Sequence, residues 1–135
     1  MTTPIKDLRG ATGAIIETLK DEGIDNNEAL VEAAATPAQR KALATLLGCD
    51  VKDVLALANR ADLARINGVS GAYSDLLEQA GVDTVKELAT RRPDNLHAKL
   101  TETNDAKQLT KRPPAASMVE DWVDQAKALP KILTY

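Results

Sequence analysis

The sequence predicts an all-α fold of two tandem helical units, each opened by a glycine hairpin, with connecting helices and one shared core. Three observations carry this expectation. The aromatic residues are Trp122, Tyr73 and Tyr135, and Phe is absent. The core must then be assembled from Leu, Ala, Val and Ile, and Ala and Leu are the best helix formers. A pattern of glycines recurs along the chain at a fixed spacing. Capping residues, prolines and glycines fall where helices of ordinary length would begin and end. A chain of 135 residues that is 44% hydrophobic and 27% charged can bury a core of its own, so a single domain over 1–135 is expected.

The repeat defines the first elements. Leu8-Arg9-Gly10-Ala11-Thr12-Gly13-Ala14 matches Ile66-Asn67-Gly68-Val69-Ser70-Gly71-Ala72, 58 residues later. At the same offset Leu19 meets Leu77, Gly23 meets Gly81, Ile24 meets Val82, Asp25 meets Asp83 and Leu30 meets Leu88. The first glycine of each hairpin suits a turn at positive φ, which side chains resist. Thr12 and Ser70 are placed to cap the helices that follow, which run to about Glu22 and Ala80. Gly23 and Gly81 should end them, with Ile24 and Val82 packing back. Asp25 and Asp83 are expected to cap the next helices, Glu28–Ala34 and Val85–Thr90.

Connecting helices come next. Thr36-Pro37-Ala38-Gln39 combines a cap, Pro at the first helical position and Gln three residues on, and opens a helix to Leu47. Gly48 stops it, and Asp50 with Asp53 opens another to about Asn59, followed by a turn over Arg60–Arg65. Arg92-Pro93-Asp94 opens a helix reaching about Leu109. Pro113-Pro114 breaks the chain, and Ser117-Met118-Val119-Glu120 reads as a capping box for a last helix to Leu129. The pseudo-repeats therefore cover about 5–63 and 64–130, with a short tail over 131–135.

Charge and composition narrow the functional classes. The net charge of −3 gives no global pull toward nucleic acid or acidic membranes. Residues 1–63 carry 7 basic and 10 acidic side chains and residues 64–135 carry 10 of each, so any anion preference belongs to the second half. Cys49 is the only cysteine and His97 the only histidine, which removes an intrachain disulfide and a Cys-cluster or His-pair metal site. No phosphate-binding loop, dinucleotide fingerprint or nucleophile elbow is present, so no enzyme activity and no cofactor are expected. A leader and a membrane-length apolar run are both lacking, so the cytoplasm is the expected compartment.

The apolar-x-Gly-x-x-Gly hairpin, followed by Gly-apolar-Asp-x-x-x-x-Leu, resembles the helix-hairpin-helix motif. Further stretches are similar to one bacterial family: Asn59–Leu63, Tyr73–Leu77, Ala80–Leu88, Asn95–Leu100 and Val119–Val123. That family is domain of unknown function 4332, of the helix-hairpin-helix group. The resemblance spans most of the chain, most specifically from Asn59 onward. It implies the fold and assigns no activity.

Helix-hairpin-helix units of DNA-processing proteins hold the phosphate backbone with hairpin N–H groups at a helix N-terminus. Carried over, the resemblance makes Gly10, Thr12, Gly13, Gly68, Ser70 and Gly71 candidate phosphate-binding residues. Arg9, Arg65, Arg91 and Arg92 are candidate anion contacts. The chain departs from the DNA-binding pattern where a cation usually follows the second glycine: Ala14-Ile15-Ile16 and Ala72-Tyr73-Ser74 stand there, with Glu17 and Asp75 next. Weak binding at physiological salt follows from that loss.

Other residues read as structural. Arg91-Arg92, Lys107 and Lys111-Arg112 read as solvated loop charge. His97 fits a half-exposed helical position, Cys49 a small turn residue, and Glu17/Asp21 and Asp75/Glu78 polar helix faces. Val119, Trp122, Val123 and Ala126 form a core stripe. The apolar tail Ile132–Tyr135 either packs back or offers a short exposed peptide to a partner. Two readings stand: a non-catalytic helical protein–protein adaptor, and a sequence-independent nucleic-acid binder acting through the glycine hairpins.

Overall fold

A computed structural model describes residues 2–69 and 71–135. These form eight α-helices and a 3₁₀ turn, and no strand is present among them beyond a single antiparallel bridge between Pro4 and Asn26. The chain is all-α, as composition and periodicity predict. It divides into two compact units, Met1–Arg65 with Ile132–Tyr135, and Ile66–Lys131.

The first unit holds the 3₁₀ turn Ile5–Asp7 and helices α1 (Gly13–Asp21), α2 (Asn27–Ala33), α3 (Pro37–Leu47) and α4 (Val51–Leu63). Thr12 caps α1 by accepting the Ile15 N–H at 3.3 Å. At its other end Gly23 takes φ +79°, its N–H donates to the Lys20 carbonyl and the Ile24 N–H donates to Leu19. That pair of bonds is a Schellman motif, and it turns Ile24 inward. The cap of α2 is Asn26 and not Asp25: the Asn26 carboxamide oxygen accepts the Ala29 N–H at 2.9 Å. The Asp25 carbonyl instead receives the Ile5 N–H, so that residue belongs to the preceding turn. Thr36 and Gln39 make the expected capping box, and Gly48 ends α3 at φ +68°.

Helix α4 continues four residues beyond the expected end near Asn59. The reason is burial: Ala61, Asp62 and Leu63 are all buried, so the last turn of α4 is enclosed on more than one side, and helical hydrogen bonds satisfy its backbone there. Helices α2 and α3 both pack on α4. Leu19, Leu30, Val31, Val54 and Ala58 fill the core between them, each large aliphatic side chain contributing about 1.5–3 kcal/mol. Asn27 is buried at the head of α2, where its side chain accepts the Thr3 N–H at 2.7 Å and donates to the Ala61 carbonyl at 3.1 Å. The tail does not stand out as an exposed peptide. Leu133 is buried in this same core.

The second unit holds α5 (Gly71–Gln79), α6 (Val85–Ala89), α7 (Pro93–Lys107) and α8 (Ala116–Ala128). The expected cap Ser70 lies outside the described residues. Gly81 takes φ +94° with its N–H on the Glu78 carbonyl, and the Val82 N–H reaches Leu77 at 2.8 Å. Thr84, and not Asp83, caps α6 by accepting the Glu87 N–H. Helix α7 stops at Lys107 because Gln108 enters the left-handed region at φ 50°. Helix α8 begins ahead of the expected capping box. Its N-cap is Ala115, which offers no side-chain bond, while Ser117 and Glu120 are exposed. The Ala115 carbonyl already receives the Met118 and Val119 N–H groups, so Ser117 falls inside the first turn. Helices α6 and α7 both pack on α8, whose Val119, Trp122, Val123 and Ala126 are buried.

Candidate functional site

The two glycine hairpins share a backbone geometry. In the first, the Ala11 N–H donates to the Leu8 carbonyl at 3.3 Å, closing a four-residue turn whose third residue, Gly10, has φ +91°. In the second, the Val69 N–H donates to the Ile66 carbonyl at 3.2 Å, and Gly68 has φ +96°. Leu8 and Ile66 are buried and anchor the turns. The second glycine of each motif, Gly13 or Gly71, is the first residue of the following helix.

Their surroundings differ. Gly10, Thr12, Gly13 and Ala14 are exposed, and a Cβ added at Gly10 or Gly13 would meet no atom within 4 Å. Gly13 does not adopt a left-handed φ, so neither space nor backbone conformation demands glycine there. The second hairpin is pinned to α8. The Asn67 N–H donates to Gln125 Oε1 at 2.8 Å, and Gln125 Nε2 donates to the Asn67 carbonyl at 3.1 Å. A Cβ on Gly68 would lie 3.1 Å from Trp122 Nε1. Tyr73 packs against the Trp122 ring at 5.3 Å and donates its hydroxyl to the Arg112 carbonyl. Sequence reasoning placed Trp122 in the core but missed Gln125. A lone glutamine on a helix carries no signal that it will bridge a turn.

The four candidate arginines are held in different ways. Arg65 pairs with Asp62 at 2.8 Å, and each side chain is 5% exposed. Arg91 donates to Glu87 Oε1 through both Nε and Nη2, and to the Gly81 carbonyl at 3.2 Å, which braces the Schellman turn. Arg92 reaches Asp94 at 3.4 Å on an exposed surface. Arg9 is exposed at the second position of its turn. Arg9 and Arg65 belong to the first unit, Arg91 and Arg92 to the second.

The remaining chemistry is sparse. His97 is half-buried on α7, and its carbonyl accepts the Thr101 hydroxyl. Burial, with the carboxylates of Asp53 and Asp50 nearby, pushes the Cys49 thiol above its ordinary value. No cluster of three or more His, Cys, Asp or Glu side chains suited to a metal exists among the described residues. An open depression of roughly 370 Å³ is lined by Arg92, Pro93, Asp94, Ala116 and Glu120, a mixed-charge set without a nucleophile. No described helix is long and apolar enough to cross a membrane.

On the opposite end of the polarity scale, Leu46 and Val51 are 47% and 39% exposed. They flank the Gly48–Asp50 connection between α3 and α4, and Leu47 and Cys49 beside them are half-buried. Sequence periodicity could not single out this corner, because both residues fall where helix ends meet a turn.

The family described as domain of unknown function (DUF4332) matches residues 9–129, and the chain belongs to it. No curated protein and no solved structure matches the chain.

Proposed function

We propose that this member of the domain of unknown function 4332 family is a non-catalytic protein–protein adaptor built on two tandem helix-hairpin-helix-like units. The tandem reading is supported by paired features at one offset: the turn glycines Gly10 and Gly68 and the Schellman turns at Gly23 and Gly81. The packing repeats as well, α2 and α3 on α4, and α6 and α7 on α8. A thiol displaced toward its protonated form fits the non-catalytic part of the reading.

The observation that carries the adaptor reading is the apolar corner at Leu46 and Val51, the large aliphatic side chains left most exposed. Asp50, Lys52 and Asp53 border it, all exposed, so a protein partner would present an apolar contact with a polar rim of mixed charge. Covering the exposed parts of both side chains is worth about 2–3 kcal/mol at the usual area coefficient, which is roughly a hundredfold in affinity. The test is affinity capture with the intact chain and with a Leu46→Ser, Val51→Ser variant of unchanged helicity. The adaptor reading expects a specific protein retained by the first and lost by the second. A partner held equally by both would refute this surface.

A second reading, sequence-independent nucleic-acid binding, is favoured by the open N-terminus of α1 at Gly13, where the fold itself does not require glycine. It predicts a duplex-DNA mobility shift at low salt that weakens steeply as salt rises and falls with Gly13→Asp or Gly71→Asp. Absence of a shift at low salt removes it.

A further inference from the structure

The segment Ile132–Tyr135 belongs to the first unit although it follows Lys131 of the second in sequence. Leu133 inserts into the core of the first unit, and Ile132 packs at its edge. The Thr134 N–H donates to the Ala35 carbonyl at 2.7 Å, and its hydroxyl donates to the same oxygen at 3.1 Å. Arg40, only 3% exposed, spans the seat. Its Nη1 donates to the carbonyls of Ala34 and Ala35 at 2.8 and 3.2 Å, and its Nη2 donates to the Thr134 carbonyl at 2.6 Å. The Tyr135 ring lies 5.5 Å over the guanidinium, and its hydroxyl donates to Asn59 Oδ1.

This arrangement has the parts of a peptide-recognition site. One apolar side chain enters a pocket, the backbone is read on both its N–H and its carbonyl, and an aromatic ring closes over a fixed cation. The polar recognising groups, the Ala34 and Ala35 carbonyls, Arg40 and Asn59, sit on the α2–α3 connection, α3 and α4 of the first unit. The segment itself has no regular structure, and the Pro130-Lys131 link leading into it is exposed. A buried guanidinium needs acceptors for its N–H groups, and the connection alone supplies two of the three carbonyls.

We propose that the first unit carries a binding site for an extended apolar-Leu-Thr-Tyr peptide, occupied in cis by this chain's own Ile132–Tyr135 and exchangeable with the same sequence supplied in trans. This site is separate from the apolar corner at Leu46 and Val51, and its existence does not depend on the adaptor reading.

The experiment titrates a fluorescein-labelled peptide of residues 130–135 into the full chain carrying Leu133→Asp, with the unaltered chain alongside. Anisotropy is expected to show saturable binding to the variant. Binding to the unaltered chain should be at least tenfold weaker, because the cis copy competes at an effective concentration on the order of millimolar. A peptide with Asp in place of its Leu should not bind, and adding Arg40→Gln to the variant should lower affinity at least tenfold. Absence of binding to a Leu133→Asp chain of native helicity overturns the proposal, as does equal binding to the two chains. Where Leu133→Asp loses helicity, the peptide at millimolar concentration must restore it, read by circular dichroism. Failure to restore it overturns the proposal equally.

Discussion

Replacing Gly68, Gly10 and Gly13 one at a time by alanine separates what the hairpins require. Gly68 sits at φ +96°, and its new Cβ would lie 3.1 Å from Trp122 Nε1. The backbone strain of a side chain at positive φ is about 1–2 kcal/mol. Forcing the buried indole aside adds overpacking of about 1–2 kcal/mol, the lower part of the usual range because one contact is involved. Gly68→Ala is therefore expected to cost about 2–4 kcal/mol. Gly10 has nearly the same φ, +91°, with open space around its Cβ, so Gly10→Ala should cost the strain alone, about 1–2 kcal/mol. Gly13 has neither constraint, and Gly13→Ala should be neutral or stabilising by up to about 1 kcal/mol through the lost freedom of the unfolded chain. Urea unfolding followed by far-ultraviolet circular dichroism reports the whole chain, and Trp122 fluorescence reports the second unit. The reasoning fails if Gly68→Ala is no more destabilising than Gly10→Ala, or if Gly13→Ala is the worst of the three.

Three further outcomes follow from individual contacts. Thr36→Ala breaks the capping box of α3 and should lower stability by about 1 kcal/mol in urea unfolding. Arg65→Met removes the guanidinium that pairs with the Asp62 carboxylate at 2.8 Å, where each side chain is 5% exposed, and should cost about 1.5–3 kcal/mol, the value of a hydrogen bond to a charged group; a thermal melt unchanged from the parent would show the pair to be solvated. The Cys49 thiol is raised in the folded chain, so less of it is thiolate there than in the unfolded chain. Iodoacetamide at pH 8 should then label native protein more slowly than urea-unfolded protein. The same sign makes the stabilising contribution of this thiol complete below its ordinary range and lost as pH climbs above it, because the unfolded chain releases its proton first.

Legibility in the sequence followed the distance over which each feature is decided. The Thr36–Gln39 box, the stop at Gly48 and the Schellman turns at Gly23 and Gly81 depend on residues within one helical turn, and they were readable. The sequence pattern places the caps of α2 and α6 at Asp25 and Asp83, one residue ahead of Asn26 and Thr84. Aspartate is as good a cap as either, and the choice was made by a remote bond in the first unit, where Ile5 takes the Asp25 carbonyl. The Ser117–Glu120 pattern had the right chemistry for a cap, but the chain leaving Pro114, which is buried, enters the helix two residues sooner. Helix α4 outran its expected end because burial of Ala61 and Leu63 outweighed the turn-like Arg60–Arg65 stretch. Of the candidate site, the hairpin glycines were legible and the fate of the arginines was not. A guanidinium's partner three or ten residues away, Asp62 for Arg65 or the Gly81 carbonyl for Arg91, is settled by packing.

The two hairpins show how a repeated backbone can serve different ends. Leu8 to Ala11 and Ile66 to Val69 close the same turn with the same left-handed glycine. At the second, Gln125 occupies both backbone groups of Asn67 and Trp122 closes the space above Gly68, so the turn is part of the packing of its unit. At the first, Gly10 and Gly13 face open space, and the residues after it, Ala14 to Glu17, bring no cation. An anion held at the first hairpin would draw on its N–H groups, on the end of α1, worth about 0.3–1 kcal/mol at an exposed site, and on the exposed Arg9, whose pairing adds up to about 1 kcal/mol. The exposed parts of Leu46 and Val51 offer about 2–3 kcal/mol on burial by an apolar partner. The two magnitudes are comparable, so the proposed adaptor reading rests on the cations missing after Gly13 and Gly71 and on the exposed apolar corner, and the Leu46→Ser, Val51→Ser and Gly13→Asp variants separate it from the anion reading.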